Sequence, residues 1–332
     1  MNKRNWIVAA SLLACLAGCS SNTGYVIKPV PMDQTLKEST VSRDPGLLVS
    51  RKIVIIDVDG LIMNDRGGGL WGTGENPVSL FVEKIKKAEA DPAVCAIVLR
   101  INSPGGGVTA SDIMYEHLKR AKTARKLPVV AVIEDVGASG AYYLACGSDA
   151  ILAHPTSITG SIGVIVQLIS LDGTLHKLGI DTKAITSGRF KDMASPFKKL
   201  DPEDEALLQG VVNSYYERFL KVVEAGRPKL SKEAVRQLAD GRVYTGDQAL
   251  ANGLVDSLGY VDDAVSLARK LSGQSRVNVV IYHRPIGYKS NIYSTAPDGL
   301  AGSSLAGLGM QTVLEMVQPQ FLYLWTAQTP RK

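Results

Sequence analysis

The chain is poor in histidine and cysteine, with four of each among 332 residues. None of them joins Asp or Glu in a cluster at ligand spacing, so no metal centre is expected, and no cofactor motif points elsewhere. No Gly-x-x-x-x-Gly-Lys-Ser/Thr or Gly-x-Gly-x-x-Gly follows the buried strand that ends at Ile101, which argues against a phosphate loop there. No basic stripe is present. Lys84–Lys87 and Lys198–Lys199 are short solvated clusters, and a net charge of +5 is mild, so nucleic acid is not expected as a partner. There is no internal repeat. Only one markedly apolar run stands out, Trp6 to Leu16, and its eleven residues are too few to span a bilayer core of ~30 Å.

That run is preceded by Lys3 and Arg4 and followed by small residues, the anatomy of an export signal. It ends in Leu16-Ala17-Gly18-Cys19, which resembles a bacterial lipobox. Cleavage before Cys19 would leave its thiol to take a diacylglycerol and its new amine to be acylated. Several acyl chains anchor stably where one does not. Loss of Lys3 and Arg4 with the signal takes the net charge from +5 to +3. Ser20 favours an outer membrane if the cell has two, with the chain facing the periplasm. Cys15 leaves with the signal. Cys95 and Cys146 read as small buried apolar residues, and spacing alone does not support a disulfide between them.

The pattern divides the chain into a signal (1–18), a lipidated polar linker with Pro29, Pro31 and Pro45 (19–48), a globular domain (49–284) and a Gly/Ser/Ala/Pro-rich C-terminal segment (285–332). Buried strands are expected at 52–58, 96–101, 129–133, 150–153 and 164–168. Amphipathic helices are expected at 77–90, 109–120, 138–146, 201–225, 231–239, 244–251 and 261–271. Residues 65–74 read as a Gly-rich loop, and 310–325 as a terminal element of undecided type. Short apolar strands alternating with helices imply an α/β fold with a largely parallel sheet and flanking helices.

Three segments carry candidate chemistry. In Gly137-Ala138-Ser139-Gly140-Ala141-Tyr142-Tyr143 a strand ends, the chain turns and a helix begins. Small neighbours would let a carbonyl approach the Ser139 hydroxyl, and free N–H groups at the helix start could receive an oxyanion. Ser139 could equally be a plain N-cap. Asn102-Ser103-Pro104-Gly105-Gly106-Gly107 reads as a flexible turn, one of whose N–H groups could complete an oxyanion hole with Gly140. A serine nucleophile needs a base. Of His117, His154, His176 and His283 none stands in a Gly-rich or carboxylate-marked setting, and His154 is the best of them. Lys191 is better placed, because Phe190, Met193 and Phe197 could surround it. Burial among them would disfavour the ammonium and leave a neutral base.

Together these segments resemble the signal peptide peptidase A (protease IV) family in its short form. The matching stretches are Arg100 to Gly107, Gly137 to Tyr143, Thr159-Gly160-Ser161-Ile162-Gly163-Val164 and Ser187 to Phe197, in the family's order. Ser139 and Lys191 stand 52 positions apart. The resemblance implies a crotonase- and Clp-protease-like fold. It also implies Ser139 as acylating nucleophile, Lys191 as general base, Ser161 orienting Lys191, and Gly106 and Gly140 as oxyanion donors. It further implies a ring-shaped homo-oligomer whose dyad can be shared between chains, and substrates that are remnant signal peptides or other unfolded apolar peptides. A lipid anchor departs from the transmembrane helix common in the family. A catalytically silent lipoprotein scaffold and a crotonase-like acyl-transfer enzyme are the competing expectations.

Overall fold

Uninterrupted runs of β-branched residues build the centre of the molecule. The computed structural model describes residues 35–46, 49–65, 68–69, 72–73, 75–284 and 320–325. Strands β2 (Lys52–Ile62), β5 (Val94–Gly107), β6 (Val129–Ala138) and β7 (Ala150–Ala153) run parallel side by side. They are buried on both faces, as parallel strands must be. The main sheet reads β1–β12–β2–β5–β6–β7–β11, with β1 (Lys37–Arg43) antiparallel to β12 (Asn278–His283) at one edge and β11 (Ser257–Leu258) at the other. β3 (Gly68–Gly69) and β4 (Gly72–Thr73) form a small separate hairpin in the Gly-rich loop.

The two faces are sorted by the period of the strand. On β2, Val54, Ile56 and Val58 face one apolar cluster together with α1 (Pro77–Ala90), α2 (Val108–Arg125) and α3 (Gly140–Ala145). Ile53 and Ile55 face the other, together with Val261, Ala264, Val265 and Ala268 of α8 (Val261–Leu271). An ion pair between Asp57 and Arg100, 2.6 Å apart and buried, ties β2 to β5 where the two residues face each other in register.

The remaining helices are α4 (Asp172–Lys177), α5 (Pro202–Gly226), α6 (Lys232–Leu238) and α7 (Gly246–Ala251). Asp201 caps α5 by accepting from the N–H groups of Glu203 and Asp204, and Ser231 caps α6 through the N–H of Ala234. Residues 243–245 form a strand, β10, rather than the start of the last short helix.

Three expectations change. The stretch taken as linker contains β1, which pairs with β12 from Lys37 to Arg43. The expected turn at 102–107 is a continuation of β5, because Leu61 and Ile62 of β2 hold Gly105 and Gly106 in register. The undecided terminal element is, at Gln320–Leu324, a strand (β13). It inserts between Gly105–Gly107 and β9 (Ile165–Gln167), antiparallel to both. The segments 1–34 and 285–319, with Cys19, lie outside the described residues. No helix among the described residues is long and apolar enough to cross a membrane.

Cys95 and Cys146 are both buried and unpaired. Burial pushes the Cys146 thiol up to about 12. The thiolate is the reactive form, so iodoacetamide is expected to leave Cys146 unmodified in the native protein and to alkylate it in guanidinium, as read by peptide mass.

Candidate active site

β6 ends at Ala138 and α3 begins at Gly140, so Ser139 takes the whole turn between them. Its backbone has φ 53° and ψ −114°, a strained conformation for a residue with a Cβ. Its N–H donates to the Gly160 carbonyl at 2.8 Å, and its own carbonyl accepts the first helical bond from Tyr143 at 2.8 Å. The side chain makes no capping hydrogen bond. That removes the N-cap explanation for a serine here and leaves its hydroxyl uncommitted to the helix.

β8 (Ile158–Gly160) lies parallel to the end of β6, with Ala138 opposite Gly160. Each serine of interest is the next residue along, so Ser139 and Ser161 leave the same end of the sheet together. Ser161 is also at positive φ, 49°, and buried; its N–H donates to Arg242 O at 2.8 Å. Thr159 Oγ1 donates to Gly137 O at 2.7 Å, which binds the two strand ends laterally.

Gly106 and Gly140 meet beside Ser139. A Cβ placed on Gly140 would lie 3.2 Å from the Gly106 nitrogen and 3.1 Å from the carbonyl oxygen of Tyr323 on β13, and would collide with Ser111 Oγ. One on Gly105, at φ 96°, would lie 2.6 Å from the Gly140 nitrogen and collide with the same Tyr323 carbonyl. The register defines that carbonyl further. Tyr323 faces Gly106, and Trp325, two residues on, donates its N–H to Pro104 O at 2.9 Å. Hydrogen-bonded pairs recur every second residue in an antiparallel ladder. Tyr323 and Gly106 therefore form such a pair, and the Tyr323 carbonyl faces the Gly106 N–H.

An aromatic pocket opens next to this point. The Tyr323 ring stacks on Tyr143 with centroids 5.3 Å apart and packs on Phe219 of α5 at 4.7 Å; Tyr143 in turn meets Tyr115 edge-on at 5.3 Å. The Tyr323 hydroxyl donates to the Tyr215 carbonyl at 2.7 Å. Phe321, on the same side of the strand, meets the Tyr215 ring edge-on at 5.4 Å. The sequence reading missed this pocket. Its one signal was the alternation of Phe321 and Tyr323 with Leu322 and Leu324.

Lys191 lies apart from this cluster. It is exposed, and its ammonium makes no hydrogen bond or ion pair among the described residues. The expected apolar cover is incomplete, since Phe190 is 38% and Phe197 40% exposed. The stretch around it is held by its own neighbours: Leu171 N–H donates to Pro196 O, Thr182 Oγ1 to Phe197 O, and Lys198 pairs with Asp192 and Asp204. Ile169, Leu178, Ile180 and Ile185 of the same stretch are exposed as well.

The histidines take other places. His154 packs against the Tyr260 ring at 4.5 Å, and burial lowers its proton affinity although Asp135 opposes this. His283 shares a hydrogen bond with Ser39, and His176 sits between Asp172 and Asp181 on the surface. None has a hydrogen bond to Ser139. Among the described residues no cluster of three His, Cys, Asp or Glu could hold a metal.

Residues 121–275 match the model of peptidase family S49. The chain is 35% identical over 297 residues to the "Putative signal peptide peptidase SppA" of Enterococcus faecium, covering 85% of each chain. It is 36% identical over 222 residues to Protease 4 of Salmonella typhi, across 66% of this chain and 34% of that longer protein. It is 30% identical over 263 residues to the chloroplastic serine protease SPPA of Arabidopsis thaliana, across 75% of this chain and 37% of that one.

Proposed function

Because the chain belongs to the signal peptide peptidase A and protease 4 family of S49 serine peptidases, we propose that it is a lipid-anchored endopeptidase. It acts through Ser139 and Lys191 on remnant signal peptides or other unfolded apolar peptides. The observation that carries this reading is the meeting of Ser139 with Gly106 and Gly140 at the wall of a cleft that pairs with an extended strand. Strand addition gives affinity through the main chain and leaves selection to pockets for alternate side chains.

The chemistry follows from the positions. The neutral Lys191 amine takes the proton of Ser139 as its Oγ attacks the carbonyl carbon. The N–H groups of Gly106 and Gly140 receive the charge that develops on oxygen. Collapse expels the amine, protonated by Lys191, and water then hydrolyses the ester. Ser161 hydrogen-bonds Lys191 and orients it. Lys191 reaches the site from a neighbouring copy in a ring, a reading supported by its exposure and by the uncovered Ile169, Leu178, Ile180, Ile185, Phe190 and Phe197 around it. Exposed apolar groups of this density mark association surfaces. The order of the sheet and the paired ends of β6 and β8 support the crotonase- and Clp-protease-type fold. Acylation of Cys19 fixes the assembly to the periplasmic side of a bacterial membrane, the outer one where there are two.

A fluorophosphonate tests the nucleophile. We expect one adduct, on the tryptic peptide that holds Ser139, growing in step with loss of hydrolysis of an apolar fluorogenic peptide. An adduct elsewhere, or full hydrolysis after labelling of Ser139, removes this mechanism.

A further inference from the structure

The cleft already holds a peptide, and it is the chain's own. β13 runs antiparallel between Gly105–Gly107 on one side and Ile165–Gln167 on the other, so that both edges of the groove are paired. Tyr323 fills the aromatic pocket completely and is 0% exposed, and Ser139 beneath the strand is 1% exposed. The Tyr323 carbonyl faces the Gly106 N–H, next to Gly140 and therefore next to Ser139. A substrate about to be cut needs its scissile carbonyl at the oxyanion donors and a side chain in the adjoining pocket.

We propose that the Tyr323–Leu324 peptide bond is a cleavage site of this protein for itself, and that residues from 320 onward close the cleft until it is cut. The inference rests on Ser139 as the nucleophile. Ser139 Oγ bonds to the Tyr323 carbonyl carbon while its proton passes to the base. The bond to the Leu324 nitrogen breaks as that nitrogen takes the proton, and residues 324–332 leave. Water hydrolyses the Tyr323 ester, which gives a Tyr323 carboxylate and restores the hydroxyl.

The pocket also states a preference. The phenol hydroxyl of Tyr323 donates to the Tyr215 carbonyl at 2.7 Å, and its ring lies on Tyr143 and Phe219. A phenylalanine would keep the ring contacts and leave a sheltered carbonyl without its donor. Sites built to bond a hydroxyl discriminate strongly against its absence. The class of residue favoured before the cut is therefore a tyrosine, flanked by the aliphatic Leu322 and Leu324.

The test follows the mass of the full-length chain, purified in detergent and incubated for hours, beside Ser139→Ala, Tyr323→Phe and Tyr323→Ala. The parent is expected to lose residues 324–332 and end at Tyr323, while Ser139→Ala keeps its full mass. Tyr323→Phe should be cut about tenfold more slowly, and Tyr323→Ala more slowly still. A cut in Ser139→Ala as well means a foreign protease and overturns the proposal. A parent that hydrolyses the fluorogenic peptide yet keeps its terminus overturns self-cleavage and leaves the proposed function standing. A parent that does neither fails both.

Discussion

Ser139→Ala is expected to lower kcat on an apolar fluorogenic peptide by about a thousandfold or more, with its unfolding midpoint close to the parent's. The hydroxyl makes no capping bond, so its loss leaves no backbone group unpaired. The φ of 53° burdens alanine as it burdens serine. Lys191→Ala is expected to be as inactive while folding equally well, because its exposed ammonium supports nothing in the single chain. The two variants mixed and reassembled then separate two geometries. In a ring with head-to-tail contacts, a working site needs Ser139 from one copy and Lys191 from the next. Random assembly of equal parts gives about a quarter of parental activity. A dyad within one chain gives none. Steady-state hydrolysis after size exclusion decides between them. Full activity in Lys191→Ala would move the base elsewhere, with His154 the next to test.

Segments whose fate is decided locally were read correctly from their residues. α1 spans Pro77–Ala90 and α8 spans Val261–Leu271, as their periodicity and Pro77 require, and Asp201 and Ser231 cap the helices that follow them. Segments decided by distant partners were not. Asn102–Gly107 carries turn residues, yet it is strand because β2 and β13 supply hydrogen bonds on both sides. β13 itself comes after a long Gly- and Ser-rich stretch, and its short alternation gains meaning only from the groove it enters. Ser139, Ser161, Gly106 and Gly140 could be found as motifs because backbone geometry holds each of them. The apolar surroundings expected for Lys191 are incomplete in one chain. Phe190 and Phe197 lack the neighbours that would cover them, and a single sequence contains no trace of a second copy.

Gly106→Ala is expected to lower kcat by about a hundredfold to a thousandfold, while Gly107→Ala stays within a few-fold of the parent. The two glycines are adjacent and exposed to the same solvent, so the contrast rests on what a Cβ meets. At Gly107 it would lie 3.6 Å from the Ala110 Cβ, an ordinary contact, on extended backbone with φ −61°. At Gly106 it would collide with the Ile62 carbonyl and lie 2.6 Å from its carbon and 2.8 Å from the Ile62 nitrogen. These are backbone atoms of a paired strand and cannot turn aside as a side chain could. β5 must then move from β2 at Ile62, and the N–H that faces the bound carbonyl moves with it. A donor shifted by even a fraction of an ångström loses more at the charged transition state than at the neutral substrate. The deficit should therefore appear in kcat, with KM changed much less. An equal rise in KM with kcat intact would mean that Gly106 only shapes the groove, and that the oxyanion is held by Gly140 with some other donor.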